Sequence, residues 1–399
     1  MKKGNNEGSI RKRSNGTWEG RYSDGRDDNG KQIQRSVYGK TRKEVSEKLN
    51  SVLHRMQTGT YISPNDMNLK DWLLQWLKSY ALVSVRPSTY VSYEGYIHNH
   101  IIPNLGDIPI QQVNPTIIQN FYNQKHESGR TDGKGGLSAK TIRNLHNMLH
   151  QALEQACING LILSNPTNGT VIPKREKKEM RVLSRSEQAA LLSVIHEHRL
   201  GFAILFDLAT GLRIGELCAL RWGDANFSRH TIKVSRTLQR IMRNMSELED
   251  LDESDDDLGS TVLVEGPVKT PKGFREIPLP QNIWAKLMEH HEQQQNYYAS
   301  IGIPVEQNGF VFAMPLGTCV EPHTMRDALN FLLAKANVCH ANFHALRHTF
   351  ATRAIENGMN IKTLSDILGH SQVQITMDLY CHSSLELMKD EMEKMSGLF

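Results

Sequence analysis

Two short runs hold the side chains best suited to chemistry on a charged group. In Ala209-Thr210-Gly211-Leu212-Arg213-Ile214-Gly215-Glu216-Leu217 an arginine and a glutamate stand three apart, just after a glycine and inside a largely apolar stretch. A guanidinium in such surroundings is costly unless paired, and Glu216 is near enough in sequence to pair with it or orient it. Far downstream, His344-Ala345-Leu346-Arg347-His348 sets His344 and Arg347 at i, i+3, which share a helix face. Leu368-Gly369-His370-Ser371 closes a predicted helix, and Tyr380 follows ten residues after His370.

Two arginines, two histidines, a tyrosine and a lysine suit transfer of a phosphodiester to a side-chain nucleophile. Guanidinium groups can bind the non-bridging oxygens in pairs and hold the extra negative charge of a pentacoordinate transition state, so no metal is needed. A free tyrosine has a pKa near 10, leaving roughly one molecule in a thousand ionised at pH 7. It therefore needs a positioned base and nearby cations to attack, and His344 suits the base. The departing 5′ oxygen needs a proton, which a lysine in a mobile hairpin could supply. Each residue also has a plainer reading. Arg213 and Glu216 could form a structural salt bridge and Tyr380 could be a core tyrosine. His344 and His348, four apart, could be half of a zinc site, but Ala345 stands where H-E-x-x-H has its glutamate.

Positioning these groups requires folded elements around them. From Ser184, a cap with Glu187 three residues on, a large mixed segment begins, with strands predicted at His230 to Arg236, Thr261 to Lys269 and Phe274 to Leu279. Upstream lies a helical stretch. Trp72, Leu73, Trp76 and Leu77 form one stripe; Pro87 opens a helix carrying Tyr90, Tyr93 and Ile97. Asn114-Pro115 opens another with Ile117, Ile118 and Phe121, and Ser138 opens a fourth with Ile142, Leu145, Leu149, Leu153 and Ala156, ending near Gly160. Lys134, Lys140 and Arg143 lie close to its last loop, where they could touch phosphate or simply be solvated. The first segment alternates extended runs, residues 16–22 and 31–38, around the turn Asp27-Asp28-Asn29-Gly30. Thr41 with Glu44 then caps a helix carrying Val45, Leu49, Val52 and Leu53. That predicts a sheet of about three strands with one helix packed on it. Arg11, Lys12, Arg13, Arg21 and Arg35 interleave there with Trp18, Tyr22 and Tyr38, so one face could present cations and aromatics to a DNA groove; a charged outer face without a ligand is the alternative. Thr58 to Asp66 and Asn165 to Arg181 read as linkers, the second with the charge run Lys174 to Lys178.

The chain is 399 residues with 39% hydrophobic and 23% charged residues, which implies two or three domains with substantial cores. No window approaches a membrane span, and the polar start Met1-Lys2-Lys3-Gly4 has no apolar region behind it, so a cytoplasmic protein is expected. Cys157, Cys218, Cys319, Cys339 and Cys381 are far apart with no C-x-x-C pair, which fits reduced thiols. Net charge is +4, but residues 1–60 hold fourteen Lys/Arg against seven Asp/Glu, while Glu247 to Asp257 holds eight acids and no Lys or Arg. A basic protein with one acidic, disordered insert is the better description, and nucleic acid is the default partner. No repeat of 20 to 50 residues is present, which excludes a solenoid.

Arg213 with Glu216, the His344-x-x-Arg347 box, His370 and Tyr380 resemble the signature of the tyrosine recombinases, the phage-integrase family. The match runs from about Ser184 to the C-terminus. A basic β-rich segment ahead of a helical domain looks most like integrases of Gram-positive conjugative transposons. The resemblance implies a multidomain α+β protein: an arm-site DNA-binding domain over residues 1–60, an all-α core-site-binding domain over 66–168, and a mixed α/β catalytic domain over 182–399, the last two clamping the duplex from opposite faces. It implies that Arg213 and Arg347 clamp the scissile phosphate, His370 hydrogen-bonds it, His344 moves a proton with the nucleophile Tyr380, and Glu216 supports the arginines. The family's lysine sits in a hairpin turn, here Lys269, with Lys272 as rival. A 3′-phosphotyrosine and a free 5′ hydroxyl would form without ATP, magnesium or any other cofactor. Four protomers would assemble on two DNA sites, with Leu385, Leu387, Met388 and Met392 supplying an apolar helix docked in trans. An excisionase-type factor is an expected partner and association with the nucleoid an expected location. Two other classes remain: a type IB topoisomerase-like relaxing enzyme, against which the separate N-terminal segment argues, and a non-catalytic DNA-binding regulator, which could have lost the site residues present here.

Overall fold

In the computed structural model of this chain we describe residues 8–26, 29–174, 180–242, 261–268, 270–304, 309–380, 392–393 and 396, and of Met242, Asp378, Leu379 and Tyr380 the backbone alone. These fall into two compact units, the first ending at residue 174 and the second starting at residue 180.

The first unit opens with three antiparallel strands, β1 (Ser9–Lys12), β2 (Trp18–Arg26) and β3 (Gln32–Gly39), in the order β1-β2-β3. Side chains alternate across the sheet, and one face is closed by α1 (Arg42–Gln57), whose Val45, Leu49 and Val52 are buried. Gly20 lies under this helix: a Cβ there would come within 2.8 Å of Val45, so only glycine allows the close approach. Thr41 caps α1 as its sequence predicts. Its Oγ1 accepts the Glu44 N–H at 3.2 Å, and the Glu44 carboxylate accepts the Lys40 N–H at 2.9 Å.

Helices follow with a core of their own, the four longest among the described residues being α2 (Leu69–Trp76), α3 (Pro87–Tyr96), α4 (Pro115–Ser128) and α5 (Ala139–Ile158). Trp72, Leu73, Trp76 and Leu77 meet Ile142, Leu145, Leu149, Leu153 and Ala156 inside it. Trp72 also uses its polar edge, donating from Nε1 to the Ala152 carbonyl at 2.9 Å, so a buried indole leaves no orphan donor. Asn114 and Ser138 cap α4 and α5, accepting the backbone N–H groups of Ile117 and Thr141 at 3.1 Å each. Two features go beyond the expected pattern: π-helical turns at Leu77–Ala81 and Ile97–Ile101 extend α2 and α3, each inserting one residue into the 3.6 period.

The second unit has α6 (Arg185–Ser193), begun by the Ser184–Glu187 capping box, then α7 (Gly201–Thr210) and α8 (Ile214–Cys218). Strands β4 (Ala225–Asn226), β5 (Thr231–Val234), β6 (Arg236–Met242), β7 (Thr261–Pro267) and β8 (Arg275–Pro278) follow, and then come the helices α9 (Gln281–Ser300), α10 (Pro322–Lys335), α11 (Phe343–Glu356), α12 (Ile361–Leu368) and α13 (Val373–Tyr380). Its largest core gathers Phe206, Trp222, Phe312, Leu329 and Leu346. The strands correct one expectation. β7 and β8 do not form a hairpin with each other, because β7 pairs with β6 while β8 pairs with β5. Val234 faces Arg275 and Arg236 faces Pro267, so Ser235 alone stands between the two paired stretches, and residues 270–274 bulge out there. Strands β6 and β7 are joined through the acidic stretch 247–257, which lies outside the described residues, as do Leu385, Leu387 and Met388; Met392 is exposed. Among the described residues no helix is long and apolar enough to cross a membrane.

Candidate active site

Helix α7 stops at Gly211, whose φ of 61° is left-handed, and a Cβ there would meet the Phe350 ring at 2.5 Å. This sharp stop sets Arg213 at the N-cap of α8 with Glu216 at its third position. The Glu216 carboxylate accepts the Arg213 backbone N–H at 3.0 Å and its Nη1 at 2.8 Å. Among the described residues Nε and Nη2 of Arg213 have no hydrogen-bond partner, and the side chain is partly exposed.

Glu216 has a second cation that sequence reasoning missed. Arg275, at the start of β8, donates from Nη2 to Glu216 Oε2 at 2.8 Å and from Nη1 to Oε1 at 3.3 Å. The same guanidinium donates to the Gly273 carbonyl at 2.9 Å and from Nε to the Ile367 carbonyl. One side chain thus ties α8, the bulge and the end of α12 together. Burial pushes the Glu216 carboxyl up, but Arg275 and then Arg213 outweigh it and hold its pKa below the usual value. The signal for Arg275 was alternation: Ile277 faces the core, and two residues earlier on a strand is the same face.

Arg347 is buried on α11 and donates from Nη1 to the Gly211 carbonyl at 2.7 Å and from Nη2 to the Leu368 carbonyl at 2.6 Å. It therefore reads the backbone at the ends of both α7 and α12. Behind it Asp207 is fully buried on α7, and neither carboxylate oxygen has a hydrogen-bond partner among the described residues. Burial raises its pKa well above its ordinary value, against the pull of Arg347's charge. His344, in the first turn of α11, is exposed; desolvation and then the charges of Arg347 and Arg213 lower its pKa. His370 follows the left-handed Gly369 that ends α12. Its Nδ1 lies 2.8 Å from the Thr376 hydroxyl, and burial with the charges of Arg347, Arg213 and Arg275 lowers it to about 4. His348 is also lowered to about 4, by burial, His344 and Arg347. Both rings are neutral at pH 7. No third ligand turns His344 and His348 into a metal cluster among the described residues.

Arg213, Glu216, His344, Arg347 and His370 are thus brought into one electrostatic neighbourhood. Tyr380 is the last residue of α13, the helix that also supplies Thr376, and its backbone alone is described; Lys269 lies outside the described residues, while Lys272 is exposed in the bulge.

The N-terminal sheet separates the basic and aromatic residues that the sequence groups on one face. Arg11, Arg21 and Tyr38 share the open face with Glu19, and exposed Arg13 sets its guanidinium 5.3 Å from the Tyr38 ring centre. Tyr22 is buried on the other face, bonded to Tyr61 at 3.1 Å, and strand pairing puts Trp18 and Arg35 on that side too. The physical reason is the two-residue alternation of β2: with Gly20 under α1, Trp18 and Tyr22 must follow it. Lys12 is exposed at the sheet's margin, and Lys140 and Arg143 are exposed on the first turns of α5.

Residues 181–386 match the phage integrase family, and residues 68–126 match its N-terminal SAM-like domain. A tyrosine recombinase XerC-like protein of Caldanaerobacter subterraneus subsp. tengcongensis is 31% identical over 94% of each chain. Among solved structures, the Tn1549 transposon integrase in complex with a circular intermediate DNA is similar with a TM-score of 0.64 and 24% identity, over 83% of this chain and all of that one. A lambda integrase tetramer bound to a Holliday junction gives a TM-score of 0.54 at 18% identity, over 93% and 94% of the two chains.

Proposed function

Because this chain belongs to the phage integrase family, we infer that it is a site-specific tyrosine recombinase that integrates and excises a mobile element. The observation that carries the reading is the shared anchoring of the site: Arg347 grips the carbonyls of Gly211 and Leu368 while Glu216 holds Arg213 and Arg275. Two guanidinium groups are thereby fixed beside two neutral histidines, a preorganised cradle for a phosphodiester.

In the proposed reaction, Arg213 and Arg347 bind the non-bridging oxygens of the scissile phosphate. The Tyr380 oxygen attacks phosphorus and its proton passes to His344, whose lowered pKa keeps it neutral and able to accept. The P–O5′ bond breaks, leaving a 3′-phosphotyrosine, and Lys269 protonates the departing 5′ oxygen. If the Thr376 hydroxyl donates to Nδ1 of His370, the ring proton sits on Nε2, where it can donate to a phosphate oxygen. Attack by a 5′ hydroxyl of the partner strand reverses the steps and conserves the bond energy, so neither nucleotide nor metal ion enters.

Further assignments are proposals on the same footing: arm-site binding by residues 1–60, core-site binding by 66–168 with Lys140 and Arg143 on phosphate, and catalysis by 182–399. The neighbours solved on DNA, one as a tetramer on a Holliday junction, support duplex DNA as partner and four protomers on two sites. An excisionase-type factor and a nucleoid-associated location complete the reading. The test is a nicked suicide duplex carrying the element's end, incubated in EDTA and run on a denaturing gel. A covalent protein–DNA adduct that Tyr380→Phe removes supports it. No adduct on a duplex the protein demonstrably binds would instead favour a DNA-binding regulator.

A further inference from the structure

The open face of the N-terminal sheet has an acid at its centre. Glu19 sits on the middle strand, with Arg11 and Tyr38 as its cross-strand neighbours. It is only 3% exposed, although among the described residues no helix covers the face. Its carboxylate accepts Arg11 Nε at 2.6 Å, Arg21 Nε at 3.1 Å and the Ser36 hydroxyl at 2.9 Å. The arginines themselves remain open, with 56% and 38% of their side chains accessible.

Which nitrogen each arginine uses is the informative detail. A carboxylate that merely neutralises an arginine commonly takes the bidentate fork, engaging a terminal Nη. Here both guanidinium groups are held by Nε alone, and among the described residues their Nη atoms have no hydrogen-bond partner. Holding the inner edge fixes the plane of each group and turns its outer N–H pair away from the acid. That outer pair is the element that matches guanine O6 and N7 in a major groove. Flexible arginines would have to lose several rotors on binding; these two are already ordered.

We propose that Glu19 is a positioning residue that aligns Arg11 and Arg21 as a base-reading pair for guanine in the duplex bound by the N-terminal sheet. The inference rests on the proposed arm-site role of that sheet and adds which residues read sequence and what holds them. The carboxylate suits the task because it stays ionised: hydrogen bonding to Arg11, ahead of Ser36 and Arg21, holds its pKa at about 2.

The sign of the effect separates this from bulk electrostatics. An acid on a DNA-facing surface repels phosphate, so removing it should tighten binding to every sequence alike. Removing an aligning residue should instead erase sequence preference. The experiment selects duplexes from a randomised pool with the full-length protein, with Glu19→Ala, Glu19→Gln, Arg11→Ala and Arg21→Ala, and sequences what is bound. Circular dichroism melts check that each variant folds, and the motif contributed by the rest of the chain serves as internal reference. We expect Glu19→Ala to lose the guanine positions that Arg11→Ala and Arg21→Ala lose, a drop in preference of roughly fivefold to a hundredfold at each. Glu19→Gln, which keeps one acceptor oxygen, should lose about half as many positions. An unchanged motif, or uniformly tighter binding, with Glu19→Ala overturns the proposal while leaving the sheet's DNA role intact. If Arg11→Ala and Arg21→Ala also leave every motif unchanged, these arginines read no base and the proposal falls, whereas a full-length protein that selects no motif beyond the internal reference would sink the arm-site reading itself.

Discussion

The molecule uses the same device twice, a buried carboxylate between two arginines, and the two clusters differ in how deep the second arginine lies. Glu216 joins Arg213 and Arg275 in the second unit, where Arg275 is 6% exposed. Glu19 joins Arg11 and Arg21 on an open sheet face. In the first case the arginine is committed inward: Arg275 fills its donors with Glu216, Gly273 and Ile367. In the second the terminal donors remain outward. Arg213 is as open as Arg21, so the burial of Arg275 is what separates the clusters. Charges removed from water must be fully satisfied and so behave as structure, whereas charges at the surface add little stability and are available to a ligand.

The contrast breaks most visibly at the acids themselves. Glu216→Ala leaves Arg275 buried without its counter-charge, and the second unit should lose about 3 to 5 kcal/mol, read from urea denaturation. Glu19→Ala should barely move the same curve. Equal destabilisation by the two would show that exposure does not separate the clusters. Arg275→Ala comes next. It touches no reacting atom in the proposed mechanism, but it sets where Glu216, the bulge and the end of α12 lie. Single-turnover cleavage should fall by about a hundredfold, the order expected when catalytic groups shift by 1 Å, while duplex binding holds. A variant that cleaves normally would reduce Arg275 to a stabilising ion pair.

Acid sharpens the comparison further. His348 and His370 have folded pKa values of about 4 against 6.5 unfolded, so between these values the unfolded chain binds more protons. Their neutral forms favour the fold fully above pH 6.5, and that stability is lost progressively as pH falls towards 4. Glu19 runs on a lower window: with about 2 folded against 4.5 unfolded, its contribution is intact above pH 4.5 and disappears as pH falls towards 2. Between pH 6.5 and 4.5 the amides of α11 and α12 should therefore lose protection from hydrogen exchange, corrected for intrinsic rate, while those of β2 keep theirs. Loss of protection in β2 in that window would contradict the assignment of Glu19's charge.

What the sequence announced and what it withheld follow the range of the interactions. Caps are local, and Thr41, Asn114, Ser138 and Ser184 each start the helix they were expected to start. Stripes are local too, and Trp72, Leu73, Trp76 and Leu77 are all buried. Arg213 with Glu216 was legible because both partners lie within one turn. Arg275 was not, since its partner is 59 residues away and its neighbour Glu276 makes the pair look like surface. The hairpin turn expected around the lysine came from the resemblance, and strand pairing is long-range: β7 and β8 each pair with another strand. The π turns left no compositional trace, since one extra residue shifts a helix face without changing its polarity.

The smallest expected effect is the sharpest check on the two faces of the sheet. Tyr22 was grouped with the basic residues as a candidate for DNA, yet the alternation of β2 buries it under α1, where its hydroxyl meets that of Tyr61. Tyr22→Phe keeps the ring and removes only that hydrogen bond, so stability should fall by about 0.5 to 1.5 kcal/mol. The set of duplexes selected from a random pool should not change, because nothing on the open face has moved. If the motif changed while the melting curve did not, the faces would be assigned the wrong way round, and the outward pair held by Glu19 would lose its groove. A small stability loss with an unchanged motif would place reading and packing on opposite sides of one strand, with Glu19 and Tyr22 three residues apart.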